Sequence, residues 1–392
     1  MNRREFLYTG TVATAATSAR SYARILGAND RVGLGVIGLG RRGTLVSKEF
    51  LADPRAQIAA VCDVYELMTS NFLSQLPEVS PRPHTSVAYP DLLAQQAVDA
   101  VLIATPDHLH VTIATAALAA GKDVYLEKPT LHHWSERSGL LEAESKYKKI
   151  LQCGMQQRSG AHYRRAKQEI FDDQKLGKVV FARAVWHNFP WQCRHIVNQP
   201  KPAGLDWNLF QGPAPHVPYE TIRYSSWRYF PDYGNGLLAD IMTHWVDVAQ
   251  WMLGDPNPKN ASSLGGIYQL HDGRINPDTV SATVQYDTWN LNFESSVLSV
   301  RNPRPSVFFE GTEGTLDLAR DGYVFTRNHG EVVRVHSAES LERAHVSNFL
   351  DAVISGAKLN APLQTGVEAS LPVQMALKSY WSHKVISQEE LM

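Results

Sequence analysis

Cysteine is scarce in this 392-residue chain: Cys62, Cys153 and Cys193 are an odd, widely spaced set, which excludes a disulfide framework and a thiolate metal site. Net charge is almost absent. Lys and Arg total 38 against 39 Asp and Glu, a balance of −1 that argues against a nucleic-acid partner. Beyond the N-terminus no run approaches the roughly 18 uninterrupted apolar residues of a membrane helix, so no membrane span is expected. Repeats, low-complexity segments, metal-ligand clusters and nucleophile elbows are also missing, which sets aside serine or zinc hydrolysis. What is present is a globular composition, 44% hydrophobic and 20% charged, in a chain long enough for two domains with sizeable cores.

The N-terminus carries Asn2-Arg3-Arg4-Glu5-Phe6-Leu7, the spacing of a twin-arginine export signal. An Ala/Thr-rich stretch from Tyr8 to Ala19 follows, with small residues around Ala16 to Ala23 suited to cleavage. The competing reading is a disordered basic tail. Residues 1–30 are therefore set apart from the fold, and a periplasmic or otherwise exported protein is expected, with a cytoplasmic one as the alternative.

From Arg31 onward short β-rich runs alternate with helical stretches, the pattern of a parallel α/β sheet. Residues 31–150 read as a Rossmann-type, doubly wound domain, with strands at Val32–Ile37, Gln57–Cys62, Val98–Ala104 and Asp123–Leu126. Residues 151–392 read as a second α/β domain whose strand-like runs, from Ser262 to Leu318, suggest a mostly antiparallel sheet. One strongly periodic helix is expected over Leu237–Leu253, closed by Gly254.

In the first strand–helix turn, Gly38-Leu39-Gly40-Arg41-Arg42-Gly43 has the spacing of a dinucleotide fingerprint. Gly38 permits the tight turn, Gly40 lets backbone approach a pyrophosphate, and Gly43 allows helix and strand to pack closely. The helix N-terminus supplies unpaired N–H groups to phosphate. Asp63, roughly twenty residues on at the end of the second strand, suits the adenosine ribose hydroxyls and favours NAD; it could instead cap the strand. Arg41 and Arg42 leave NADP open, or are solvent-facing neighbours of the phosphates.

Lys128 lies at the carboxyl end of a parallel strand, where open α/β sheets place their ligands. A lysine there can hold a reacting hydroxyl and stabilise an alkoxide. Asp240 and His244, four apart, share a face of the periodic helix, and an imidazole aligned by a carboxylate can take a hydroxyl proton. Taken alone, the spacing fits a surface Asp–His pair better.

The ordered set Gly38-x-Gly40-x-x-Gly43, Ala104-Thr105-Pro106-Asp107, Glu127-Lys128-Pro129 and Asp240-x-x-x-His244 resembles the Gfo/Idh/MocA oxidoreductases, from about residue 31 to the end. The resemblance implies a tightly held NAD (NADP possible), a carbohydrate or polyol substrate, and joint catalysis by Lys128, Asp240 and His244. It also implies cofactor contacts at Thr105, Pro106 and Glu127, and a large open sheet in the second domain that serves as a homo-oligomer interface.

Softer candidates remain. His110 could approach a nicotinamide or merely start a helix. Gln157 and Arg158 could reach a substrate hydroxyl, and His187 could be a satisfied strand histidine. The segment from Trp186 to Tyr233 is too long for an idle loop and holds four of the nine tryptophans. Trp186, Trp227, Arg228 and Tyr233 there could bind a sugar, or the aromatics could pack over the sheet or at a subunit contact.

Two chemistries follow: net hydride transfer at a secondary hydroxyl of a sugar, polyol or glycoside, or a glycoside hydrolase, lyase or isomerase reaction with transient oxidation and no net redox change. A twin-arginine route carries folded protein, so the nucleotide could travel already bound and would have to be regenerated in place.

Overall fold

The computed structural model describes residues 31–76, 82–187, 196–298 and 304–391; the twin-arginine segment lies outside the described residues. Six strands rich in aliphatic and small residues form a wholly parallel sheet: β1 (Val32–Ile37), β2 (Ala56–Cys62), β3 (His84–Ser86), β4 (Ala100–Ile103), β5 (Asp123–Leu126) and β6 (Leu151–Cys153). Their order is β3-β2-β1-β4-β5-β6, so the chain reverses direction between β1 and β4, the switch point at which open α/β sheets bind ligands. β1 and β4 are buried along their whole length, which is why they read as continuous apolar runs. β6 extends this sheet past the boundary expected at residue 150.

The second sheet has nine strands: β7 (Val179–Val185), β8 (Asn260–Gly266), β9 (Thr279–Gln285), β10 (Asn290–Ser296), β11 (Ser306–Gly311), β12 (Gly314–Ala319), β13 (Gly322–Arg327), β14 (Val332–His336) and β15 (Ile386–Ser387). All neighbours are antiparallel except β7 and β10. The expected mostly antiparallel sheet is thus observed and extends further than the sequence suggested. Trp245, Val248 and Met252 of the helix Thr243–Leu253 join Leu291, Phe293 and Phe309 of the sheet in one hydrophobic core.

Two long-range returns tie the halves together. The helix Leu341–Ser355 leaves the second sheet and lays Val346, Phe349 and Leu350 into the core of the first domain, where the Phe349 ring meets Phe50 and Tyr125 edge-on at 5.9 and 5.7 Å. The irregular segment 196–236 forms a strap with its own small core of Trp207, Phe210, Tyr229, Phe230 and Tyr233. This strap is stitched to the loop after β2: Asp206 N–H donates to the Val64 carbonyl at 2.8 Å, and Glu66 N–H to the Gly204 carbonyl at 3.0 Å. His108 Nε2 meets the Phe210 carbonyl at 2.9 Å, tying the strap to the loop after β4 as well. Among the described residues no helix is long and apolar enough to cross a membrane.

Candidate active site

The glycine turn after β1 is built as a cradle. Gly38 has φ +90, and a Cβ there would sit 2.7 Å from the Ala104 carbonyl group, so only glycine fits the crossing of β1 and β4. A Cβ on Gly43 would lie 1.9 Å from the Gly38 carbonyl oxygen, so the helix Arg41–Leu51 presses directly on the turn. Above Gly40 a Cβ would meet nothing within 4 Å. Gly40 caps that helix without any side-chain bond, which leaves the first-turn N–H groups facing open space, the arrangement that takes a phosphate. Buried Thr105 Oγ1, at the end of β4, has no partner among the described residues. An open cradle and an orphaned hydroxyl beside the switch point fit a dinucleotide.

Asp63 does not wait idle for a ribose. Its carboxylate accepts from Leu39 N–H at 2.8 Å and Tyr65 N–H at 2.9 Å, bracing the glycine turn and leaving lone pairs for a diol. Burial pushes its carboxyl upward. Arg41 is exposed on the first helical turn. Arg42, expected as a phosphate neighbour, turns inward instead: Nε donates to Glu127 at 2.7 Å and Nη1 to Glu342 at 3.0 Å. These two carboxylates offset the cost of burying the guanidinium, while its Nη2 has no partner among the described residues.

At the end of β5 the motif Glu127-Lys128-Pro129 places Lys128 over the second domain. Its Nζ donates to Asp240 Oδ1 at 2.7 Å and to the Asp240 carbonyl at 3.0 Å. Arg228 Nε reaches the same carboxylate oxygen at 3.3 Å. Burial works against the Asp240 charge, but Lys128 and Arg228 outweigh it and hold the carboxyl below its usual range. Beside this trio lies Asp107, 3% exposed; burial first and the Asp240 charge second push its carboxyl up to about 8, so it is protonated at neutral pH. One carboxylate ionised and one protonated, side by side, is an acid–base arrangement.

His244 is buried, and its Nδ1 has no hydrogen-bond partner among the described residues. Its ring packs against Trp186, centroids 5.6 Å apart. Burial, then the charges of Lys128, Arg320 and Arg42, keep the imidazole neutral and well below its usual range. The expected Asp240–His244 hydrogen bond does not form. Residues 238–242 make a π-turn before the α-helix Thr243–Leu253, which shifts Asp240 off the shared face and toward Lys128. A four-residue spacing implies neighbours only where the helix is regular.

Several softer candidates are placed elsewhere. His110 is a strut: Nδ1 meets the Pro129 carbonyl at 2.8 Å and Nε2 the Thr105 carbonyl at 3.0 Å, and burial brings its pKa to about 4. Arg158 gives Nε to Asp247 at 2.8 Å instead of a hydroxyl. Tyr233 is wholly buried in the strap core, 5.2 Å from the His108 ring, and offers no face to a sugar. Trp227 carries the Arg228 guanidinium 4.1 Å from its ring. Gln157, 1% exposed on a 3-10 turn, has both amide atoms buried and unbonded among the described residues. Sequence reasoning missed Glu342 and Arg320, which come from the far end of the chain and from a hairpin turn with no local signature.

Comparison with known proteins agrees with this geometry. Residues 32–155 match the model of an oxidoreductase family with an NAD-binding Rossmann fold, and residues 163–317 match the GFO/IDH/MocA C-terminal domain. The chain is 25% identical over 315 residues to a myo-inositol 2-dehydrogenase of Thermotoga maritima, covering 79% of each. It is 32% identical over 134 residues to a glycosyl hydrolase family 109 protein of Stenotrophomonas maltophilia, which is 32% of this chain and 29% of that one. The crystal structure of an aldose-aldose oxidoreductase from Caulobacter crescentus complexed with glycerol superposes with a TM-score of 0.71 at 16% identity, over 91% of this chain and 99% of that one.

Proposed function

This chain belongs to the Gfo/Idh/MocA oxidoreductase family, and from that membership we propose that it oxidises a secondary hydroxyl of a sugar, polyol or glycoside, using an NAD that it keeps bound between turnovers and that the carbonyl of a second sugar substrate re-oxidises. The observation that carries the reading is Lys128, clamped by Asp240 at the carboxyl end of β5 next to a neutral histidine. NAD held by the Gly38–Gly43 turn and Asp63 would supply the hydride acceptor.

The chain's own groups handle the proton and the charge. Lys128, held in place twice by Asp240, presents its remaining N–H to the substrate hydroxyl and stabilises the developing alkoxide. His244, neutral, accepts the hydroxyl proton at Nε2, since its Nδ1 is buried. The Trp186 ring restricts where the imidazole can lie. Asp107, holding its own proton at neutral pH, adds no negative charge that would oppose alkoxide formation.

A redox-neutral cycle is the second reading, supported by the 32% identity to the family 109 glycosyl hydrolase. Oxidising a ring hydroxyl acidifies the adjacent C–H, the glycosidic substituent leaves, water adds, and return of the hydride restores the alcohol. Export through the twin-arginine route, part of the same proposal, would favour chemistry that regenerates its own cofactor.

The test is to purify the protein, denature it and identify any nucleotide released, then to assay the native protein on sugars and aryl glycosides. Reduced nucleotide accumulating with free sugars supports net oxidation. Aglycone released without net reduction supports the redox-neutral cycle. Absence of bound nucleotide, with turnover only on added NAD, sinks the retained-cofactor part of the proposal.

A further inference from the structure

Of the cations that act on His244, one makes no ion pair among the described residues. Of the three cations that depress the imidazole, Lys128 is paired with Asp240, and Arg42 with Glu127 and Glu342. Arg320, on the turn between β12 and β13, has no carboxylate within ion-pair distance among the described residues. The acids nearest to it in sequence are taken: Asp321 and Asp317 both hold Arg304, at 2.6 and 3.4 Å.

Arg320 is nevertheless not a solvated surface residue. Its Nε is buried without a hydrogen-bond partner, and its guanidinium carbon lies 5.0 Å from the centre of the Trp186 ring. That same ring packs on His244, so Trp186 links the arginine to the imidazole. Burial pulls the guanidinium below its ordinary range, and the more distant charges of Glu342 and Glu127 do not make up the loss. Glu342 and Glu127 are the carboxylates that act on Arg320 through space, and both already hold Arg42.

We propose that Arg320 receives a carboxylate of the substrate, and that the substrate class is therefore sugar acids (uronates, aldonates or uronate-containing glycosides) and not neutral sugars. A planar guanidinium stacked on an indole is pre-oriented, and its two-pronged N–H edge matches a carboxylate in a way a hydroxyl cannot. A bound carboxylate would also remove the cost of the uncompensated buried charge, which makes the site selective by rejection of neutral analogues as well as by attraction. This inference rests on the oxidoreductase reading of the same centre.

The test uses the full-length protein with its retained nucleotide and substrate pairs that differ only in acid against primary alcohol: glucuronate with glucose, and galacturonate with galactose. Initial rates follow the nucleotide's absorbance, and calorimetry reads binding without turnover. The acid of each pair is expected to be preferred by about 100-fold in kcat/KM, the scale of a desolvated charge pair. Arg320→Met should collapse that ratio toward unity and Arg320→Lys should keep part of it, with retained nucleotide and an unchanged melting curve showing that both variants fold. Neutral sugars used as well as their acids would overturn the assignment. So would an Arg320→Met protein that loses nucleotide instead of acid preference, which would place the arginine at the cofactor. Arg320-dependent binding of the acid without any turnover would uphold the assignment and defeat the oxidoreductase reading; neither turnover nor acid binding would end both.

Discussion

Lys128 is held twice by Asp240, through the carboxylate at 2.7 Å and through the main-chain carbonyl at 3.0 Å. Because the carbonyl belongs to a π-turn, its orientation differs from that of a regular helix, and the lysine reads both the charge and the backbone of one residue.

Asp240→Asn should therefore keep the lysine's position in part while leaving Lys128 and Arg228 with no shared counter-charge. Stability should fall by about 3 kcal/mol, the cost of an uncompensated buried charge, and kcat by about 100-fold. Thermal melts and single-turnover reduction of the retained nucleotide check the two effects separately. A melt and a rate both close to the parent's would show that the pair is ornamental.

His244→Asn should lower kcat by about 100- to 10,000-fold, the range for a lost general base, without loosening the nucleotide, since the histidine makes no bond to the glycine turn. In the parent protein the rate should hold steady as pH falls past 6.5, because burial and three cations keep this ring neutral well below the usual imidazole range. An acid limb centred near 6.5 would mean that the ring is hydrated in the working enzyme.

Gly40→Ala and Gly43→Ala should part company. Open space above Gly40 predicts normal folding with weakened nucleotide retention, because only the bound phosphate would meet the methyl group. At Gly43 the methyl would fall 1.9 Å from the Gly38 carbonyl oxygen, so this variant should lose about 1–3 kcal/mol of stability. Melting with the nucleotide stripped separates the two; equal losses in both variants would refute the assignment of an open cradle.

Acid should destabilise the fold early. Burial brings His108, His110 and His345 to about 4 and His132 to about 3, whereas an unfolded imidazole titrates near 6.5. Unfolded chain then binds more protons across this window, so stability is complete above about pH 6.5 and is lost as pH falls toward 4. Asp107, raised to about 8, has the opposite sign: its contribution is present below the unfolded carboxyl value and lost as pH climbs to 8. Together they place the maximum of Tm near pH 6.5 to 7, and a Tm unchanged from pH 7 to 4.5 would contradict the burial of these rings.

Legibility in the sequence followed locality. The parallel sheet, the glycine turn and the place of Lys128 all depend on residues within one strand and the turn after it, where spacing is a direct record of geometry. The inward turn of Arg42 is not legible because its partner Glu342 lies 300 positions away, and nothing in the glycine motif reports that contact. The Asp240–His244 pairing failed because a π-turn leaves no periodic mark in a run that is apolar on nearly every side. For Tyr233 the sequence leaves sugar binding and packing open, because an aromatic-rich loop reads the same whether its rings face a ligand or one another; here they build a core.

The strap across the loop after β2 turns nucleotide exchange into a question of kinetics. Val64 and Glu66 lie within three residues of Asp63, and their main-chain bonds to Asp206 and Gly204 would close over the adenosine end of an NAD held by Asp63. A nucleotide seated there leaves only when these bonds and the Trp207–Phe210 stack, at 4.9 Å, open together. Its release would then share the temperature coefficient of a local unfolding event, a several-fold rise for each 10 °C, and mild denaturant would accelerate it where excess competing nucleotide would not.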